Sequence, residues 1–157
     1  MSLQRIRFFC CILLIIIAQS AQSNPNASAM RRNVVTFADA YRVEVEIADT
    51  EALRQLGLMH RLQLDEDKGM LFVYQNQAIR AVWMKNTLIP LDVLFLSSDG
   101  KVLSMLPNLQ PCKKDPCPVF TSRGNAQYML EVTAGFIDKH RIELGQKLFL
   151  DYTPDKE

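Results

Sequence analysis

The chain has 157 residues, of which 48% are hydrophobic and 22% are charged, and its formal net charge is +1. This length and composition are typical of one compact domain, and they exclude extended disorder, collagen and disulfide-knot scaffolds. The balanced charge, with no basic or acidic tail, predicts no nucleic-acid partner.

The first 23 residues have the pattern of a secretory signal peptide. Two arginines precede an unbroken apolar run over residues 8–18, which is too short to span a bilayer core of about 30 Å. Small residues follow and indicate cleavage after Ser23, and Ala18-Gln19-Ser20 is a nearly equivalent second cleavage pattern. We therefore predict a periplasmic or secreted protein, with a flexible linker over residues 24–33 and a single domain over residues 34–157. The alternative is a chain anchored in the inner membrane by the uncleaved apolar run.

The mature chain begins with a clear alternation of apolar and charged residues. This period of two over residues 41–47 predicts a half-buried strand. Asp49 or Thr50 then caps a short helix over residues 51–56, and Gly57 ends that helix.

The rest of the chain contains short strands and little helix. The predicted strands cover residues 69–74, 79–85, 91–96, 101–106, 127–132 and 147–152. A turn separates the second and third of these strands, and Ser98-Asp99-Gly100 forms a hairpin turn before the fourth. A loop rich in proline and cysteine covers residues 107–118, and a helical turn covers residues 134–140. This pattern predicts a mainly β fold, either a sandwich or a barrel, with one or two short helices.

Several segments of the chain resemble the DUF192 family, also called UPF0127. They are RQLGLMHR (residues 54–61), GMLF (69–72), WMKNTLIPLD (83–92), the Pro-Cys and Cys-Pro pairs at 111–112 and 117–118, Leu130-Glu131 and Gly135. The similarity extends from about Val43 to Leu150. It implies a compact, jelly-roll-like β-sandwich and implies no function. Phe120 departs from the tyrosine that the resemblance leads us to expect.

The segment from Trp83 to Asp92 concentrates polar side chains beside the only tryptophan of the chain. If the segment forms two antiparallel strands and a turn, Lys85 lies near a partly buried Asp92. One interpretation is a structural ion pair, because a buried carboxylate needs a partner. The other is a ligand pocket, in which Trp83 forms an apolar wall while Lys85 and Asn86 donate hydrogen bonds to an anionic or hydroxyl-rich ligand.

Arg61 and Glu131 complete the candidate ligand-binding residues. Arg61 either joins a basic rim with Lys85 or pairs with an acidic residue of its own loop. Glu131 lies in a predicted strand and faces either a basic side chain or solvent. If Asp92 and Glu131 share one cleft, the two carboxyls are able to perform acid–base catalysis, as in a hydrolase.

Cys112 and Cys117 are the cysteines that remain after cleavage. In an exported protein they predict a disulfide that pins a loop, worth about 2 kcal/mol by loop entropy. Catalytic redox pairs usually have the tighter C-x-x-C spacing. A zinc site is disfavoured because companion histidines at metal-site spacing are absent.

Five methionines lie in the predicted mature fold, at positions 59, 70, 84, 105 and 129. Thioethers in an exported protein are suitable ligands for copper(I), although methionine also fills gaps in cores. The methionines form no M-x-M cluster, so core packing is the simpler interpretation.

We predict a binding or accessory module for a small ligand, a carbohydrate or an organic anion, rather than an enzyme. The alternatives are a periplasmic hydrolase with paired carboxylates and a copper-handling protein. We predict no cofactor and no structural metal. The expected partner is a small molecule or a cell-envelope component, with membrane contact only through an uncleaved signal segment.

Overall fold

A computed structural model describes residues 33–153 of the chain. The predicted signal peptide, and all but the last residue of the predicted linker, lie outside the described residues. The described part contains the strands β1 (Val34–Thr36), β2 (Arg42–Ala48), β3 (Lys68–Ala78), β4 (Ala81–Trp83), β5 (Leu91–Leu96), β6 (Val102–Leu109), β7 (Val119–Thr121), β8 (Ala126–Thr133) and β9 (Phe149–Asp151), and the helices α1 (Glu51–Leu56) and α2 (Phe136–Lys139). Neither helix is long and apolar enough to cross a membrane.

Seven strands form one mixed sheet in the order β6-β5-β8-β3-β2-β1-β9, and β4 and β7 form a separate two-stranded sheet. Strands β2 and β3 are parallel and are connected through α1, whereas the other neighbouring strands are antiparallel. An isolated bridge between Lys101 and Lys147 brings the two edges of the large sheet together at one point without closing a barrel. The prediction of a mainly β fold with two short helices is confirmed.

Each face of the large sheet packs against its own hydrophobic cluster, because side chains alternate along a strand. The first cluster contains Leu130 and Val132 of β8 and includes Phe136 of α2. The second cluster contains Met129 of β8 and includes Met84, which follows β4. The small β4–β7 sheet therefore covers the second face of the large sheet.

Helix α1 begins and ends at the predicted residues. The Thr50 side chain accepts a hydrogen bond of 3.2 Å from the Leu53 backbone N–H, which satisfies one free donor of the first turn. Gly57 ends the helix with a φ of +49°, a conformation that favours glycine. The helix consequently stops beside the second cluster, where Leu58 is buried.

The prediction of a buried strand over residues 79–85 was wrong in two respects. The strand covers only Ala81–Trp83, and both of its end residues are exposed because it lies at the surface. It pairs with β7 rather than with β5, so Lys85 is not opposite Asp92. Strands β1 and β7 were not predicted, since three residues are too few to establish a period.

Candidate functional site: an acidic cavity beneath Trp83

Glu131 is buried in an apolar part of the second face of the sheet. Its register partners are Met70 on β3 and Val93 on β5, and only 5% of its surface is exposed. Among residues 33–153, no side chain or backbone group forms a hydrogen bond or an ion pair with its carboxyl. Burial raises the pKa of Glu131 from 4.5 to about 8, so the carboxyl is mostly protonated at neutral pH.

The Glu131 carboxyl borders a cavity of about 70 Å³. Met129 and Phe72 line it from the large sheet, and Met59 lines it from the segment after α1. A single water needs about 10–15 Å³ of such volume, so the cavity has room for a few waters or for one small functional group.

Tyr74 lines the same cavity from an irregular part of β3. The register of β3 against β8 shifts between Val73 and Ala78, and Tyr74 lies within this bulge. Its ring is 5.1 Å from the Arg54 guanidinium and 3.8 Å from that of Arg80, which are distances of cation–π contacts. Burial raises the pKa of the Tyr74 hydroxyl, and no residue of the described chain forms a hydrogen bond with it.

Arg54 forms part of the cavity wall, but its charge is directed elsewhere. Its guanidinium donates hydrogen bonds to the backbone oxygens of Asp49 and Val73 and lies 3.2 Å from the Glu51 carboxylate. Arg54 therefore holds α1 against β3, and no ion pair joins it to Glu131 in the described structure.

Trp83 connects the cavity with an outer groove. This groove has a volume of about 290 Å³ and shares Arg54, Tyr74 and Trp83 with the cavity. Trp83 is 48% exposed, and its cross-strand partner Val119 is 59% exposed. The groove thus combines an exposed aromatic surface with the polar side chains of Arg54 and Tyr74.

The residues after Trp83 form a turn that supports the cavity. Met84 is fully buried, and its backbone oxygen accepts hydrogen bonds from the N–H groups of Cys112, at 3.1 Å, and Thr87, at 3.3 Å. Thr87 is itself buried and lines the cavity. The turn therefore contributes Thr87 to the cavity that Trp83 of β4 also lines.

Lys85 and Asn86 lie outside the cavity. The Lys85 Nζ is 3.4 Å from the Asp115 carboxylate and 5.9 Å from the Trp83 ring. The Asn86 side-chain amide is 3.8 Å from the sulfur of Met59. The structure thus replaces the predicted Lys85–Asp92 pair with a contact between Lys85 and the cysteine loop.

Asp92 lies on the opposite face of the sheet from Glu131. Its register partner is Val132, whereas that of Glu131 is the adjacent Val93. The Asp92 carboxylate is 1% exposed and accepts hydrogen bonds of 2.8 Å from the backbone N–H groups of Asn108 and Ile137. The two carboxyls do not share a cleft, so the geometry that the hydrolase hypothesis requires is absent.

Arg61 belongs to a different groove. Its guanidinium forms two hydrogen bonds with the Glu46 carboxylate, of 2.5 and 2.6 Å, rather than pairing with an acidic residue of its own loop. This interaction raises the pKa of Arg61. Arg61 and Lys68 line a separate groove beside β2. Arg61 therefore forms no basic rim with Lys85, which contacts Asp115.

Cys112 and Cys117 form the predicted disulfide, with an S–S distance of 2.08 Å. Met70, Met84 and Met129 are buried in the second cluster, where they fill core positions. Within residues 33–153, no group of three or more His, Cys, Asp or Glu side chains is arranged to hold a metal ion.

The fold and site define a small mixed-sheet β protein with a buried acid beneath an exposed tryptophan. The chain belongs to the DUF192 family, described as "Uncharacterized ACR", which it matches over residues 34–150. The expected family membership is thereby confirmed. No curated protein matches the sequence.

Two solved structures of uncharacterised proteins are similar to this chain. One is a "putative transcription regulator" from Sinorhizobium meliloti 1021, with 33% identity and a TM-score of 0.69 over 76% of this chain and 92% of that chain. The other is a protein of unknown function from Novosphingobium aromaticivorans DSM 12444, with 28% identity and a TM-score of 0.68 over 75% of this chain and 83% of that chain. Both similarities extend over most of the described domain.

The structure brings together two of the six predicted ligand-binding residues, Trp83 and Glu131. It adds Arg54, Tyr74 and Thr87, which were not selected from the sequence. Arg54 and Thr87 lie within the segments that resemble the family, so the resemblance could have marked both residues as candidates. Nothing in the sequence marked Tyr74, because the bulge that directs it to the cavity has no local sequence pattern.

Proposed function

We propose that this protein is a binding module that holds a small hydroxyl-bearing ligand, such as a carbohydrate, in the groove beneath Trp83. The observation that carries this proposal is the Glu131 carboxyl, which is buried at the edge of an open cavity without a partner among the described residues. Buried polar groups are normally hydrogen-bonded, and unpaired ones are typical of functional sites.

The arrangement of the groove favours a carbohydrate over an organic anion. Trp83 offers an apolar ring surface at the mouth, while Tyr74 and Thr87 supply hydroxyl groups deeper in the site. Mostly apolar pockets with a few convergent polar groups are typical of small-ligand sites. An anion would need a free cation, but Arg54 is bonded to Glu51 and Lys85 contacts Asp115.

We also propose that the module acts outside the cytoplasm. The apolar segment over residues 8–18 and the Cys112–Cys117 disulfide support export, since disulfides persist in oxidising compartments. Expression of the full chain in a bacterium tests this. We expect a periplasmic protein whose measured mass corresponds to a chain beginning at Asn24. A membrane-bound protein that retains residues 1–23 would contradict cleavage and support the anchored alternative.

Fluorescence of Trp83 tests ligand binding directly, because it is the only tryptophan of the chain. The oxidised protein would be titrated with neutral mono- and oligosaccharides and, in parallel, with organic anions such as citrate. We expect a saturable change with a neutral saccharide. If no saccharide changes the emission, the proposal is overturned. Saturation with the anions alone would make the site an anion site instead.

Two variants separate binding in the groove from binding elsewhere. Trp83→Ala should abolish the gain in thermal stability that the saccharide gives, whereas Trp83→Phe should retain part of it. Phe149→Ala is a matched control, because Phe149 is an aromatic residue with 62% exposure that lies on β9 and does not line the groove. Stabilisation by the saccharide that survives in Trp83→Ala would contradict a site at Trp83.

A further inference from the structure

The cavity beside Glu131 holds no free positive charge. Of the described residues that line it, Arg54 and Tyr74 are the only other titratable ones. The Arg54 guanidinium is bonded to two backbone oxygens and to the Glu51 carboxylate. The Tyr74 hydroxyl is uncharged at neutral pH, as tyrosines ordinarily are, and burial raises its pKa further. An ionised Glu131 would therefore be an unpaired charge, which is costly in apolar surroundings.

The residues directly opposite Glu131 on the neighbouring strands are apolar, and the polar groups nearby are the hydroxyls of Tyr74 and Thr87, which line the same cavity. The residues directly opposite are Met70 on β3 and Val93 on β5, and Met129 is the preceding residue on the same face of β8. From β4, Val82 and Trp83 line the cavity. None of the described residues forms a hydrogen bond with the Glu131 carboxyl, so the O–H of a neutral Glu131 is free to bond a molecule in the cavity.

We propose that Glu131 acts in this site as a neutral carboxylic acid whose O–H donates a hydrogen bond to the ligand, so that the site selects an uncharged acceptor group over a carboxylate. This inference rests on the proposed function and specifies its chemistry. A ketone, ester or amide carbonyl, or a hydroxyl oxygen, is such a group. A ligand carboxylate would bring an unpaired charge into the cavity.

The sizes of the two compartments define the shape of the ligand. The cavity of about 70 Å³ holds a group of a few heavy atoms, and the groove of about 290 Å³ next to Trp83 holds the larger body. A sugar ring with a protruding acetyl, acetamido or hydroxymethyl substituent has this shape. The substituent would enter the cavity and accept the proton of Glu131.

Two small probes of equal size test the selectivity. Acetone and acetate have the same number of heavy atoms and differ in charge. The protein would carry ¹³C-labelled methionine methyl groups, because Met59 and Met129 line the cavity while Met105 packs against the first cluster and serves as an internal control. At neutral pH we expect acetone to shift the signals of Met59 and Met129, and acetate to bind at least about tenfold more weakly, or ~1.4 kcal/mol.

Variants of Glu131 distinguish donation from acceptance. Glu131→Gln keeps a neutral donor and should bind acetone within about threefold of the wild type, whereas Glu131→Leu should lose about tenfold, ~1.4 kcal/mol. Above the pKa of Glu131, about 8, the wild type should lose acetone binding and Glu131→Gln should not. Glu143→Gln, an exposed site outside the cavity, is the matched control.

The outcomes separate this inference from the proposed function. Acetate binding as tightly as acetone, or loss of acetone binding in Glu131→Gln, would overturn the neutral-donor inference and leave the saccharide site intact. Unchanged Met59 and Met129 signals with both probes would also overturn the inference. The proposed function is judged separately, by the response of Trp83 fluorescence to saccharides.

Discussion

Asp92 and Glu131 lie on adjacent strands of the large sheet and point to opposite faces of it. Glu131 is the register partner of Val93, and Asp92 is that of Val132. Asp92 accepts two backbone hydrogen bonds, whereas no described residue bonds the Glu131 carboxyl. Of these two buried acids, Asp92 is therefore bonded by the fold itself, whereas the described residues leave the carboxyl of Glu131 without a hydrogen bond.

The stability of the protein should fall as the pH rises between 4.5 and about 8, because the folded state holds the Glu131 proton more tightly than the unfolded state. In this window the unfolded chain binds fewer protons, so the free energy of unfolding decreases by up to about 1.4 kcal/mol per pH unit. The contribution of Glu131 is fully present below pH 4.5 and is lost once the pH exceeds about 8.

Glu131→Gln removes the pH-dependent contribution of Glu131 to the free energy of unfolding. The variant should therefore be more stable than the wild type at pH 8. Urea unfolding of both proteins at a series of pH values measures it. The difference between the two curves is the readout, because it isolates the contribution of Glu131 from the pH dependence of the rest of the protein. The exposed substitution Glu143→Gln should keep the wild-type slope. Parallel curves for Glu131→Gln and the wild type would contradict a raised pKa.

Asp92→Asn should destabilise the fold by about 1–3 kcal/mol. An asparagine has one acceptor oxygen, so either the N–H of Asn108 or that of Ile137 loses its partner in a buried place. Chemical denaturation measures the loss. Asp151→Asn, at an exposed position on β9, should change stability by less than about 0.5 kcal/mol. An Asp92→Asn protein as stable as the control would show that these hydrogen bonds contribute little.

Removal of the disulfide should cost about 2 kcal/mol by the loop-entropy estimate, since Cys112 and Cys117 close a short loop. The double substitution of both cysteines by serine removes the disulfide without leaving a free thiol. Reduction of the wild type should lower its stability by the same amount and should leave the double variant unchanged. An equal effect of the reductant on both proteins would assign the loss to another cause.

The parts of the fold that were predicted correctly are determined by local sequence. Helix α1 carries its own cap at Thr50 and its own stop at Gly57, and β5 is a run of apolar residues interrupted by Asp92, with turn residues on both sides. The pairing of β4 with β7 joins residues that are more than 30 positions apart and leaves no local pattern. Residues 79–85 and 91–96 are close in the sequence, so they were predicted to pair as one hairpin. The structure pairs them with other strands.

The same reason limited the prediction of the site. Trp83 and Glu131 stand out by residue type, one as the only tryptophan and the other as a charge within an apolar strand. Their shared cavity, however, depends on long-range packing of β4, α1 and β8. Tyr74 reaches it only because β3 bulges after Val73, which the alternation of residues does not reveal.

The most direct test of this account is the titration of Glu131 itself. Carboxyl signals of ¹³C-labelled glutamate would be followed by NMR from mildly acidic to alkaline pH, and the signal that disappears in Glu131→Gln gives the assignment. We predict a pKa of about 8 that rises further when acetone occupies the cavity, since acetone accepts a hydrogen bond from the neutral acid. A pKa near 4.5, unchanged by acetone, would contradict the neutral, unpartnered acid on which the proposed site depends.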